Sequence, residues 1–307
     1  MLVVAAADRL ITYFQAIVIG LLQGVTELFP ISSLGHAVIL PKLLGWDLNQ
    51  DKPYFLAFLV TTHLATAIVL LLFFLPEWLR ILRGLGRSLR DREIAPEDAD
   101  ARLAWLLVVG TIPAGLIGLL FEHKLRSLFA NPKAAAAFLL VNGLILFAAE
   151  YLRRRAPGAD ERARELEQVP QSETSAEAEK RLATLGFREA VGVGTAQAGA
   201  LFPGISRAGI TMGGSLFVGL THEDAARYAF LLATPIIGAA ALLKLPDLVG
   251  HNGDGVRLQA LVGALCAGAA AWVSVRFLMR YFQTNTLTPF AVYCLFAGLA
   301  ALLVFVF

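Results

Sequence analysis

The chain is short of charge. Asp, Glu, Lys and Arg make up 16% of its 307 residues, where an ordinary soluble domain carries about 25%. The formal net charge is only +2, so there is no basic face and nucleic acid is excluded as a partner. Cysteine is nearly absent. Cys266 and Cys294 both fall inside apolar runs, where free cysteines behave as small buried hydrophobes. Neither a disulfide framework nor a cysteine metal site is expected.

What the chain has instead is apolar sequence, 57% of its residues. Residues 55–75, 103–121, 134–152, 225–245, 258–279 and 286–307 each approach or exceed the roughly 20 residues that cross a bilayer. The expectation is an all-α polytopic membrane protein with at least six full transmembrane helices. No cleavable leader is required, because apolar helices direct their own insertion. One hydrophilic segment, residues 153–186, interrupts the pattern with mixed charge. It reads as a solvated cytoplasmic linker that could hold a short helix.

Lys and Arg placement sets the orientation. Residues 80–102 hold six Arg and residues 153–188 hold eight Lys or Arg. Two passes fit between them, so both can be cytoplasmic. That arrangement puts 17 Lys and Arg inside and 8 outside, with Arg207 left at membrane depth and the C-terminus outside.

Two further apolar segments, 8–46 and 187–221, are broken in the middle by Pro and Gly. Each must start and finish on one side for this topology to close, which makes them re-entrant. Irregular backbone at that depth requires protein or a wet cavity around it. The two segments also resemble each other. "LFPISSLG" (28–35) aligns with "LFPGISRAG" (201–209), Gln23 with Gln197, and "AFLVTT" (57–62) with "AFLLAT" (229–234), at separations of 172 to 174 residues. An inverted repeat follows, with halves 1–152 and 187–307. Such proteins place their site near the midplane, where broken helices meet.

The breaks carry the chemistry. In the first, Pro30 ends one helix, and Ser32 and Ser33 suit the start of the next. Ser33 and His36 are three apart and share a face, and Glu27 precedes the break. In the second, Pro203 and Gly204 end a segment and Ser206 and Arg207 open the next. Two helix N-termini and an arginine describe an anion site, and phosphate is the expected anion. Arg207 costs at least about 2.5–3.5 kcal/mol at membrane depth unless paired or ligand-bound. A salt bridge to Glu27 is the structural alternative to a substrate role. Ser32 reads first as a cap. Gln23 serves equally as interhelical polar glue or as a site ligand. His63 reads as a hydrogen-bonded bundle histidine. Thr211, four after Arg207, is a further phosphate-binding candidate.

These residues resemble the signatures of the undecaprenyl-pyrophosphate phosphatases, the bacitracin-resistance family. The first signature is matched by Gln23, Glu27, Pro30, Ser32, Ser33, Gly35 and His36, and the second by Pro203, Gly204, Ser206, Arg207 and Thr211. The resemblance covers essentially the whole chain. One departure is Gln23, where many members have Glu; Gln cannot be a base and is the weaker metal ligand, so weight shifts to Glu27. The resemblance implies metal-assisted removal of the terminal phosphate of a C55 polyprenyl diphosphate, recycling the cell-wall lipid carrier and conferring bacitracin resistance in the bacterial plasma membrane. It also implies Mg²⁺ or Ca²⁺, for which Glu27 and Gln23 are the ligand candidates.

On the residues alone, Glu27 can hold a hard cation that also takes diphosphate oxygens. Arg207 can fork onto the terminal phosphoryl group. Ser33 is the nucleophile with His36 as its base, and His36 as nucleophile is the rival assignment. Ser32, Gly204, Ser206 and Thr211, with Gln23, complete the expected substrate site. Substrate and membrane lipids are the expected partners; a homodimer is left open. A transporter or flippase for a lipid phosphate or other anion is the alternative from another class, since inverted repeats with midplane breaks serve transport as well. A second lipid-phosphatase superfamily with Ser-Gly-His and Ser-Arg motifs is set aside, because its further His and Asp spacing is missing after Arg207. The first re-entrant segment enters from outside, which points to a periplasmic or extracellular opening.

The orientation is testable by thiol labelling. In intact cells Ser175→Cys should resist an impermeant thiol reagent and Asn252→Cys should react with it. The reverse pattern overturns the orientation and with it the outward opening.

Overall fold

The structure, a computed structural model, describes residues 10–50, 52–129, 131–153, 175–250 and 255–306. Every regular element among the described residues is helical. Six helices are long and apolar enough to cross a membrane: α3 (Pro53–Phe73), α5 (Ala99–Phe129, apolar over Ala99–Phe121), α6 (Pro132–Arg153), α10 (His222–Val249, apolar over His222–Leu243), α11 (Arg257–Tyr281) and α12 (Thr288–Val306). They fall on the six expected runs within a few residues.

The two Pro- and Gly-broken segments form helix–break–helix units. In the first, α1 (Tyr13–Thr26) leads through the break to α2 (Ser33–Leu43). Thr12 opens α1 with a capping box, accepting from the Gln15 amide while the Gln15 side chain accepts from the Thr12 amide. With 14 residues, α1 reaches about 21 Å, short of the roughly 30 Å hydrocarbon core. In the second unit, α8 (Phe187–Ala196) tightens into a 3₁₀ turn at Gln197–Leu201, and α9 (Arg207–Phe217) follows the Pro203-Gly204 break.

One end of the bundle is more ordered than its charge suggested. Arg-rich residues expected as a plain loop form α4 (Leu75–Asp91), an amphipathic helix directly after α3. The linker's residues 154–174 lie outside the described residues; its last part holds a short helix, as the sequence allows, but one packed on the bundle rather than solvated. This is α7 (Ser175–Leu182), whose Glu179 takes a two-pronged bond from Arg80 at 2.6 and 2.9 Å. Arg181 makes a buried bidentate pair with Asp224 at the start of α10, and Arg102 donates to the Ala183 and Leu185 carbonyls. Local composition displays balanced charge, but the partners lie on other elements.

Small residues bring the helices close. A Cβ on Gly20 would stand 2.3 Å from the Gly263 carbonyl oxygen, and one on Gly24 2.2 Å from that of Ala267, so α1 lies backbone to backbone on α11. The counterpart contact joins α8 and α5, where a Cβ on Gly194 would stand 2.1 Å from the Gly110 oxygen. Between α6 and α12, Gly143 faces the Ala291 carbonyl and Gly298 faces Ala136 and Leu140. These are backbone contacts that cannot yield as a side chain would. Gly24→Ala and Gly194→Ala should each lower stability by about 1–3 kcal/mol, read as thermal unfolding in detergent. Gly115→Ala, with nothing within 4 Å of the added carbon, should be neutral or slightly stabilising.

Candidate active site

The two breaks meet inside the bundle and are tied to each other. Ser32 adopts a left-handed backbone, φ 70°, which turns the chain sharply into α2. Its hydroxyl oxygen accepts from the Gly35 amide at 3.3 Å and from the Gly204 amide at 3.2 Å. One side chain thus caps α2 and clasps the second break. Gly204 has φ 110° and packs so tightly on α6 that a Cβ would stand 2.3 Å from the Ala135 oxygen, so only glycine fits there. Ser206 caps α9 through the Gly209 amide at 3.1 Å, and its hydroxyl reaches the Phe29 carbonyl of the first break. Asn142, fully buried in α6, joins both sides: its Nδ2 donates to the Pro30 carbonyl at 2.9 Å and its Oδ1 accepts from the Ser206 amide at 2.9 Å. The N-terminal ends of α2 and α9 therefore start from one place, with their positive dipole ends together.

Glu27, at the end of α1, is the hub. Its Oε1 accepts from Nη2 of Arg207. Its Oε2 accepts from the Ser33 hydroxyl and, at 3.0 Å, from Nε2 of Gln23 one turn earlier. Nε2 of His63 stands 3.4 Å from the same oxygen, with Nδ1 donating to the Leu59 carbonyl at 2.8 Å. The carboxylate is buried, and a buried carboxylate requires this many donors. The Arg207–Glu27 salt bridge weighed from the sequence is therefore formed, beside a serine hydroxyl. Arg207 keeps Nη1 on the Ala233 carbonyl at 3.3 Å and is partly exposed.

Two pairings differ from the sequence reading. Ser33 and His36 do share the first turn of α2, but the Ser33 proton points to Glu27. The His36 ring bonds back to the Ser32 carbonyl at 2.7 Å and turns its other nitrogen to Tyr293 of α12 at 2.8 Å. A first-turn histidine can reach the carbonyl four residues before it, and that bond rotates the ring away from Ser33. Thr211 is buried and donates to the Arg207 carbonyl at 2.7 Å, which ties its hydroxyl to its own helix. Gln23, Ser32, Gly204 and Ser206 lie where the breaks converge. His63, Asn142 and Tyr293 are the participants that sequence reading did not place there. His63 had a weak signal, directly after the repeated "AFLVTT" (57–62). Asn142 had another, as a lone amide within an apolar run. Nothing marks Tyr293.

Among the described residues no group of three or more His, Cys, Asp and Glu could hold a metal alone. One observation nevertheless fits a hard cation. Gln23 is buried and its Oε1 has no hydrogen-bond partner, right beside the Glu27 carboxylate. Mg²⁺ and Ca²⁺ take carboxylate and amide oxygens, and Mg²⁺ commonly uses one or two protein ligands plus phosphate and water. The arrangement can hold an anion against Arg207 and two helix N-termini, and can take a proton from Ser33 onto Glu27.

The model of the family "Bacitracin resistance protein BacA" matches residues 16–300. Undecaprenyl-diphosphatase of Mycolicibacterium paratuberculosis is 52% identical over 300 residues, covering 95% of this chain and 97% of its own. Undecaprenyl-diphosphatase 2 of Frankia alni is 48% identical, with 94% and 96% covered, and undecaprenyl-diphosphatase of Granulibacter bethesdensis is 45% identical, with 94% and 95% covered. Similarity of this extent runs through both breaks and all six long apolar helices, and the chain belongs to the bacitracin resistance protein family.

Proposed function

We propose that the protein is a multi-pass membrane phosphatase that hydrolyses undecaprenyl diphosphate, or a closely related polyprenyl diphosphate, to the monophosphate and inorganic phosphate. Its product is the lipid carrier of cell-wall synthesis, and its action would raise resistance to bacitracin. The names of its relatives and its family support the substrate. The observation that carries the chemistry is the contact of the Ser33 hydroxyl with Glu27 where Arg207 also converges.

The geometry suggests the following course. The diphosphate reaches the meeting point of the breaks while the prenyl tail stays in lipid. Arg207 is positioned to share its guanidinium between Glu27 and a phosphoryl oxygen, and the N-termini of α2 and α9 add favourable potential. Ser33 Oγ attacks the terminal phosphorus and its proton passes to Glu27, which is the base in contact with it. The bond from phosphorus to the bridging oxygen breaks, and the monophosphate leaves with that oxygen and takes the proton. Water then attacks the phosphoserine, releasing phosphate and restoring the Ser33 hydroxyl. A divalent cation held by Glu27 and Gln23 Oε1 would neutralise charge on the diphosphate oxygens. His36, turned to Tyr293, is the competing nucleophile, and it would have to leave that partner to react.

We further infer an inverted repeat with re-entrant breaks, in the bacterial plasma membrane with the site opening outward. The matched motifs and the reciprocal glycine contacts, α1 on α11 and α8 on α5, support the repeat. The lysine and arginine distribution supports the orientation.

The test is phosphate release from a polyprenyl diphosphate by detergent-solubilised protein in Mg²⁺ or Ca²⁺. Hydrolysis needs no sealed compartment, whereas transport does. Release is expected, and its complete absence under both cations sinks the reading. Glu27→Gln and Ser33→Ala should each lower the rate by about 10²–10⁴-fold while remaining folded, and extra cation should restore little to Glu27→Gln. Near-native release by Ser33→Ala alongside an inactive His36→Asn would transfer the nucleophile's role to His36. Near-native release by Glu27→Gln would remove Glu27 from the chemistry.

A further inference from the structure

His36 has both ring nitrogens engaged, and the two partners differ in kind. Nδ1 lies 2.7 Å from the Ser32 carbonyl oxygen. A carbonyl oxygen only accepts, so Nδ1 carries a proton. Nε2 lies 2.8 Å from the phenol oxygen of Tyr293, which can donate. Neither partner is charged, so nothing bonded to the ring calls for an imidazolium. The pair is consistent with one neutral tautomer, Nδ1–H with the Nε2 lone pair accepting from Tyr293. The two rings lie nearly parallel, 13° apart with centroids at 5.7 Å, so stacking and hydrogen bond fix the imidazole together.

Tyr293 comes from α12, 257 residues farther along the chain, and belongs to neither signature. Its side chain is 44% exposed, unlike buried His36, so it stands between the imidazole and the outside of the bundle. The helix beneath it is anchored close by: Cys294, its neighbour, is buried and accepts from Asn142 at 3.2 Å. Asn142 is the residue that ties the two breaks together. The phenol is thus held in register with the breaks by α12 rather than by a loop.

We propose that Tyr293 is a positioning residue of the phosphatase site, which aims His36 by donating to Nε2, the one lone pair left on the ring once the Ser32 carbonyl has fixed the proton on Nδ1. The inference rests on the phosphatase reading for its catalytic meaning. In this state Nε2 is the lone pair with which His36 can take a proton from the water that attacks the phosphoserine, or itself meet a phosphoryl group, and Tyr293 keeps it aimed and partnered until substrate arrives. Without the hydroxyl the buried Nε2 loses its donor, while the Ser32 carbonyl still keeps the proton on Nδ1.

The test uses full-length protein carrying ring-¹⁵N-labelled histidine in detergent, with His36→Asn identifying the His36 signals. Tyr293→Phe keeps the ring and its stacking and removes only the hydroxyl. The wild type should show His36 as the neutral Nδ1–H tautomer with a hydrogen-bonded Nε2, and Tyr293→Phe should keep that tautomer and move the Nε2 signal to that of an unbonded lone pair. Its kcat for polyprenyl diphosphate should fall by about tenfold to a hundredfold, with KM nearly unchanged. An imidazolium signature in the wild type overturns the proposal. So does an unchanged Nε2 signal in Tyr293→Phe, whether or not kcat falls, and so does a shifted Nε2 signal at full kcat. If the wild type releases no phosphate, the phosphatase reading falls, while the ¹⁵N comparison still decides what Tyr293 does to His36.

Discussion

A carboxylate buried deep in a greasy bundle must be surrounded by donors, and Glu27 shows how this fold meets that demand. Its partners come from three places: Gln23 and Ser33 from its own broken unit, His63 from α3, and Arg207 from the other unit, 180 residues away. Removing one partner of such a buried pair costs about 3–5 kcal/mol, because the other charge is stranded. That cost belongs to the stranded charge rather than to the net strength of the clasp, so what the pairing fixes is where the two broken units touch.

Much of the surrounding structure follows from that contact. If two helices stop inside the bundle, their ends need partners, and Ser32, Ser206 and Asn142 supply them by reaching across from one break to the other. If the breaks are to meet, the flanking helices must come close, and glycines on α1, α8, α6 and α12 remove the side chains that would keep them apart. The same features suit catalysis of phosphoryl transfer, which calls for positioning and charge more than for unusual groups. A serine hydroxyl on the carboxylate and a guanidinium on its other oxygen are both placed by the protein's own contacts.

The division between what the sequence displayed and what it hid has a physical cause. Long apolar runs must be helices in lipid, so the six long helices were legible to within a few residues. Pro30, Pro203 and Gly204 punctuate the chain by backbone sterics, so both breaks were legible as well. Caps are local, and Ser32 and Ser206 could be read as such. Rotamer choices and, apart from the Glu27–Arg207 pair, distant partners were not legible. Thr211 bonds back to its own helix, His36 turns from Ser33 to Tyr293, and α7 docks through Arg80 and Asp224. The reach of His63 to Glu27 depends on how α3 lies against α1, which no local pattern encodes. Helix α4 was hidden by its arginines, which advertise a loop although their spacing makes an amphipathic face.

In the proposed mechanism Glu27 and Arg207 act on the substrate as well as on each other. The most direct measurement is made on the doubly neutral variant, Glu27→Gln with Arg207→Gln, scored for thermal stability and for phosphate release. Replacing both members of a buried pair removes the stranded charge and is often near neutral for stability. The variant should be about as stable as the wild type and release phosphate at least about a hundredfold more slowly. A stable double variant that hydrolyses polyprenyl diphosphate at close to the native rate would contradict it, and would leave the pair as a structural clasp alone.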